Sequence, residues 1–143
     1  MNSKYSYIDI AKEDLLAAKE MLRVKLYNHA ARLCQQYMEK VLKECIARHG
    51  NQELDMLLLH THKINRLAAR CSELVGCSFN KEEVSFFRQL TDYYFDTNYP
   101  GENYIKISAV EAQQVYDDVL EFQKGYEEAL ASMATNPQLP HSE

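Results

Sequence analysis

Glycine and proline are scarce in this chain, with four glycines and three prolines in 143 residues, and Pro137 and Pro140 fall close to the C-terminus. So few breakers leave a long body suited to helices. There is no run of about 18 consecutive apolar residues, which excludes a membrane-spanning helix. The opening residues, MNSKYSYIDIAKEDL, lack an apolar stretch and carry acids early, unlike a secretory signal. The expected location is therefore cytoplasmic. The four cysteines of such a chain read as reduced thiols rather than a disulfide framework. Positive charge is short as well: 16 Lys and Arg against 21 Asp and Glu give a net charge of −5. That balance argues against a surface for duplex DNA. The charge is uneven, however. Glu111, Asp117, Asp118, Glu121, Glu127 and Glu128 make the stretch before Ala131 acidic, while Lys63, Arg66, Arg70, His60 and His62 make the middle basic. Two such regions could steer a small anionic ligand or mate with a second copy of the chain, and a solvated face is the plainer alternative.

What the chain does have is a helix that is apolar around most of its girth. In AARLCQQYMEKVLKECIARHG, from Ala30 to Gly50, the residues Ala30, Ala31, Leu33, Cys34, Tyr37, Met38, Val41, Leu42, Cys45 and Ile46 spread around about two thirds of a helical wheel. Such a helix is expected at the centre of a bundle. Gln36, Glu39, Lys40 and Lys43 form a narrow polar strip, its expected outlet to solvent or to a ligand.

Around this helix the sequence reads as an all-α, up-and-down bundle of about five helices. A first helix runs from about Tyr7 to Lys25, capped by Ser6 and Asp9, with Ile8, Ala11, Leu15, Ala18 and Leu22 as its stripe. Asn28 is the expected N-cap of the central helix and Gly50 its expected C′ residue. The apolar run Leu54 to Leu59 is a loop or a short helical turn. A third helix starts near Thr61 or His62, and a fourth at Asn80, capped by Glu83 and ending before Asn98-Tyr99-Pro100. Ser108 and Glu111 open the last helix, with Val115, Val119, Phe122, Tyr126, Ala129 and Met133 as its stripe. Residues 1–134 form one domain, and residues 135–143 read as a disordered tail.

Four pieces of the sequence, in order, resemble the HEPN family (higher eukaryotes and prokaryotes nucleotide-binding). They are Ala11 to Asp14; Ala31, Gln36, Glu39, Lys40 and Lys43; His62, Ile64 and Leu67; and Tyr93, Tyr94, Asn98, Tyr99 and Pro100. The resemblance covers roughly residues 5 to 130. It implies a helical bundle that pairs into a homodimer and binds a nucleotide, or binds or cleaves RNA. It also implies a nucleotidyltransferase as partner, and toxin–antitoxin pairs are one setting of the family. The chain departs from the pattern at Asn98, where members often carry Arg. Ribonuclease members follow that arginine with a histidine four to six residues on, and here the residue six on is Tyr104. Cleavage through the 2′-hydroxyl needs an acid or base titrating near neutrality and a cation for the phosphorane charge. Asn98 and Tyr104 supply neither. Arg23 and His29 have a suitable spacing but lie in the first inter-helix connection.

The expectation is thus a non-catalytic binding module with no cofactor and no metal. Its ligand-binding residues are Gln36, Lys40, Lys43, His62, Asn98, Tyr99 and Tyr104. Lys40 and Lys43 would hold phosphate as point charges, Gln36 would bond a base or ribose, and His62 would donate to an anion at a helix start. The plainer reading pairs Glu39 with Lys43 at i, i+4 and leaves Lys40 solvated. Tyr93, Tyr94, Tyr99 and Tyr104 suit base stacking or, equally, a core edge or dimer contact. His60, His62, Cys71 and Cys77 have zinc-ligand chemistry without a zinc-site spacing, and Asp92 with Asp96 has no third group to make an acid pair work. The alternatives are a ribonuclease toxin with relocated catalytic residues and a purely structural dimerising domain.

Overall fold

A computed structural model describes residues 6–97, 100–101 and 104–135. Among these, every regular element is helical: α1 (Tyr7–Arg23), α2 (Tyr27–His49), the short α3 (Gln52–Asp55), a 3-10 turn (Leu58–His60), α4 (Ile64–Val75), α5 (Lys81–Asp96) and α6 (Ala109–Thr135). No described helix is long and apolar enough to cross a membrane.

The expected capping boxes form at Ser6–Asp9 and Asn80–Glu83, where side chain and backbone satisfy each other reciprocally. The bounds shift elsewhere, for local reasons. α1 stops at Arg23 rather than Lys25, because Lys25 adopts a left-handed φ of 65° to turn the chain. Asn28 does not cap α2. The helix starts two residues earlier than that cap implies, at Tyr27 behind Leu26, which offers no side-chain cap, and the Asn28 side chain is engaged elsewhere. α4 begins at Ile64, so His62 precedes the helix instead of leading it. The apolar run Leu54 to Leu59 is split between α3 and the 3-10 turn, leaving Leu54, Met56 and Leu57 exposed. Thr135, assigned to the tail from sequence, is the last residue of α6, and residues 136–143 lie outside the described set.

Gly50 ends α2 as expected, but with extended backbone (φ −95°, ψ −169°) rather than a left-handed turn. Its need for a bare α-carbon is one of space. A Cβ there would stand 2.3 Å from Asp55 Oδ2 and 2.6 Å from the Ile46 carbonyl. Gly76, which closes α4 at φ 70°, has a left-handed backbone conformation that disfavours other residues.

α2 is central, packed by α1, α4, α5 and α6. Ala11 and Ala18 of α1 are fully buried beside it, small residues at a close helix approach. α6 runs the same way as α2, since its entry at Ile107 bonds Asn28 while Tyr126 reaches the level of Cys45. α4 packs against α2, where the Cys71 thiol donates to the Leu42 carbonyl at 3.3 Å. Phe87 of α5 meets Phe79 and Phe122 edge-on, at 5.0 and 5.9 Å between centroids, and so closes the core against α6. Cys34, Cys45 and Cys71 are buried free thiols, and burial pushes the Cys34 thiol up to about 12. They pack as small hydrophobes.

Candidate functional site

Of the strip on α2, the structure makes something other than an outlet. Glu39 and Lys43 are buried, with side chains 6% and 7% exposed, and they pair at 3.0 Å. Glu39 also accepts from the fully buried Gln35 at 3.0 Å, and Gln36 donates to Gln35 at 2.6 Å. Lys40 forms an ion pair with Asp14 of α1 and donates to Gln36 at 3.4 Å. The strip is therefore a ladder of polar groups running from Asp14 through Lys40, Gln36, Gln35 and Glu39 to Lys43. This corrects the expectation of an outlet to solvent or to a ligand at Glu39 and Lys43; the plainer pairing of Glu39 with Lys43 forms, but Lys40 is paired with Asp14 rather than solvated. The physical reason is that a buried charge is tolerated only when paired and hydrogen-bonded, and the i, i+4 spacing supplies the partner. It also explains why Asp14 and Lys40 occur together: one anchors α1 to the other's helix.

The ladder surfaces at His62. Its Nδ1 lies 2.9 Å from Glu39 Oε1, and its ring stacks on Tyr94 at 4.0 Å between centroids with 17° between planes. The side chain remains 39% exposed. The Glu39 carboxylate accepts the Nδ1 proton, and in the imidazolium form Nε2 is a second donor, the form that an anion selects. Lys63 follows it in the sequence and Arg66 lies in the first turn of α4; both are exposed, and neither carries an ion pair among the described residues. Arg70, by contrast, is held by Asp55 at 2.9 Å and Glu73 at 3.0 Å.

Gln36, Lys40, Lys43 and His62 are thus brought together, but Lys40 and Lys43 spend their charges inside the chain. Tyr104 is not part of this group. Its hydroxyl accepts from Asn28 Nδ2 at 3.1 Å. Asn28 also donates to the Ile105 carbonyl at 2.9 Å and accepts from the Ile107 amide at 2.7 Å. One side chain at the start of α2 thereby clamps the loop that enters α6. Asn98 and Tyr99 lie outside the described residues. Tyr93, offered above for stacking, is buried, and its hydroxyl donates to Glu111 at 2.8 Å. Burial first, then that carboxylate, raises its phenol pKa above the ordinary value.

The remaining candidates separate in space. His62 turns to Glu39, and the Cys71 thiol donates to the Leu42 carbonyl at 3.3 Å. No group of three metal-ligating side chains converges among the described residues. Asp92 is held above the ordinary carboxyl value by partial burial and then by Asp96. Arg23 pairs with Glu20 on the exposed end of α1, whereas His29 is hydrogen-bonded by Arg32 one turn along α2.

Sequence reasoning passed over Gln35, gave Asn28 a capping role instead of its loop contacts, and offered Tyr94 for stacking without naming His62 as its partner. Gln35 stands one residue from the strip, and only the burial of Glu39 reveals its part. A groove of about 490 Å³ between α1, α2 and α6 went equally unseen, with Ile8, Tyr37, Val41 and Leu130 among its lining residues. No periodicity within one helix could announce it.

No match to the chain is found among curated proteins or among solved structures. The family model for the HEPN domain matches residues 5–128. That span includes α1 to α5, the polar ladder, the His62 corner and most of α6, and the chain belongs to the HEPN domain family.

Proposed function

We propose that the chain is a non-catalytic HEPN binding module that holds an anionic ligand at the corner where His62 precedes α4. The ligand is a nucleotide or the acidic surface of a partner such as a nucleotidyltransferase, and the module works as a homodimer. One observation carries this reading: Glu39 fixes His62 by Nδ1 while Tyr94 holds its plane. The imidazole is preorganised, with the exposed Lys63 and Arg66 following it into α4, so little ordering is left to offset at the ring when an anion binds. The buried ladder then serves to hold the corner rigid. In this form the phosphate contacts move from Lys40 and Lys43 to Lys63 and Arg66.

Thermal melting with ATP or GTP tests the reading, on the wild type and on Lys63→Glu with Arg66→Glu. A ligand at about 100 times its Kd adds about 2.7 kcal/mol of stability. The double charge reversal should remove that gain, and Lys40→Ala should not remove it by direct contact loss. No shift at millimolar nucleotide sinks the nucleotide arm. Retention of an acidic partner by the wild type but not by the reversed pair would then support the protein arm. Light scattering across protein concentrations tests the homodimer.

A second reading has its own observation. Arg32 hydrogen-bonds the His29 ring beside the Asn28 clamp, so α2 brings a cation and an imidazole next to the loop from Tyr104. This is the chemistry of a relocated ribonuclease pair. RNA cleavage lost in both His29→Ala and Arg32→Ala would favour it, and intact RNA with the wild-type protein would dismiss it.

A further inference from the structure

The groove between α1, α2 and α6 lies on a face of α2 away from the His62 corner. Its floor includes Tyr37 and Val41, and its walls are Ile8 and Lys12 of α1 and Tyr126, Glu127 and Leu130 of α6. A volume of about 490 Å³ lies in the range of small-molecule sites.

Tyr37 is the unusual member. It is only 4% exposed, yet its hydroxyl has no hydrogen-bond partner among the described residues. A phenol that spends its hydrogen on no protein group has it available for a molecule that reaches it. Here the oxygen is not sealed in, because no sealed and unpaired side-chain oxygen or nitrogen occurs among the described residues. It faces the groove. The charges around it balance: Lys12 stands on the α1 wall, Glu127 on the α6 wall, and Arg48 pairs with Glu44 at 3.3 Å. His49 lines the same end of the groove.

We propose that this groove binds a small, net-neutral amphipathic molecule with an apolar body and a carbonyl-type acceptor on Tyr37. The apolar body is set by Ile8, Val41 and Leu130. The acceptor is set by the unpaired phenol, whose hydrogen has no other destination among the described side chains. Neutrality is set by the opposed walls: a polyanion that gains at Lys12 is repelled by Glu127 and Glu44, and a cation meets the converse. The site is independent of the proposed anion corner, and either can fail alone.

The test uses the neutral carbonyl dye Nile red on the full chain, read by emission and by thermal melting. Saturable one-to-one binding is expected. Tyr37→Phe should raise Kd about three- to tenfold, the loss of one hydrogen bond, while melting no lower than the wild type. Leu130→Trp, on the rim, should block binding with the helical spectrum intact. Binding unchanged in both variants overturns the proposal, as does failure to saturate. Displacement by millimolar ATP overturns the neutral-ligand assignment. So does loss of the site over the concentrations at which light scattering shows a dimer, which would give the groove to a second copy.

Discussion

Glu39 and Tyr37 stand two residues apart on α2, both buried, and their polar atoms meet opposite fates. Glu39 is bonded by Gln35, Lys43 and His62. The Tyr37 hydroxyl has no partner among the described residues and opens to a groove. The difference teaches where to look for binding in a bundle. A closed polar cluster holds the fold, because its members would otherwise be costly inside the protein. An open one keeps access to solvent, and it can exchange that solvent for a ligand. Burial alone does not separate the two cases; partnership does.

Breaking the closed side should have the largest effect. Glu39→Ala leaves Lys43 buried without its counter-charge, and we expect a loss of about 3–5 kcal/mol in urea unfolding. Replacing both Glu39 and Lys43 by Met should return much of that loss, since no orphaned charge remains. If the single and double variants are equally unstable, the pair is not the source.

Gly50→Ala tests a second closed cluster, Asp55 with Arg70 and the Asn51 amide. The new Cβ would displace the Asp55 carboxylate, and a destabilisation of about 1–3 kcal/mol is expected from the overpacking. A variant as stable as the parent would mean the carboxylate can move aside freely.

Acid titration probes the same cluster without a crowding change. The Arg70 hydrogen bonds, with help from the Asn51 amide, hold the Asp55 carboxyl below its ordinary value of 3.8. The folded chain thus releases this proton more readily than the unfolded one. The contribution is complete above pH 3.8 and is lost as pH falls through the lowered folded value. Asp55→Asn should be less stable at neutral pH and should flatten that part of the acid limb. An unchanged limb would remove Asp55 from the account.

The smallest effect belongs to the open side. Tyr37→Phe should change stability by no more than about 0.5 kcal/mol at neutral pH, because no internal hydrogen bond is lost. At high pH the two should diverge. Burial, with a further push from Glu127, raises the Tyr37 phenol from 10.0 to about 12. Its contribution is therefore complete below pH 10.0 and declines as pH rises toward 12. The phenylalanine variant should lose less stability over that interval, measured by alkaline unfolding.

Much of the fold was legible because helices are local. The spacing of Ala30 to Ile46 announced a surrounded helix, and nine of its ten apolar residues are buried, Leu33 being half-buried. Ser6–Asp9 and Asn80–Glu83 could be read as caps because both partners lie within one turn. Asn28 misled for the complementary reason. Its residue type suits an N-cap, but Tyr104, Ile105 and Ile107, far along the chain, compete for the same side chain and win. The candidate site was half legible. The family resemblance picked out Gln36, Lys40, Lys43 and His62, which do come together, while the partners that occupy the two lysines are Asp14 of α1 and the buried Glu39.

By itself, the sequence determined the helical class, the central place of α2 and the family, because each rests on spacing within a turn or two or on motifs in linear order. Only the tertiary structure decided that the polar strip is a closed ladder, that His62 is its exposed end, and that Tyr37 lines a groove. Those facts depend on which neighbour stands opposite each polar atom. Asp14, Tyr94 and Glu127 come from three different helices, and no pattern along α2 can name them.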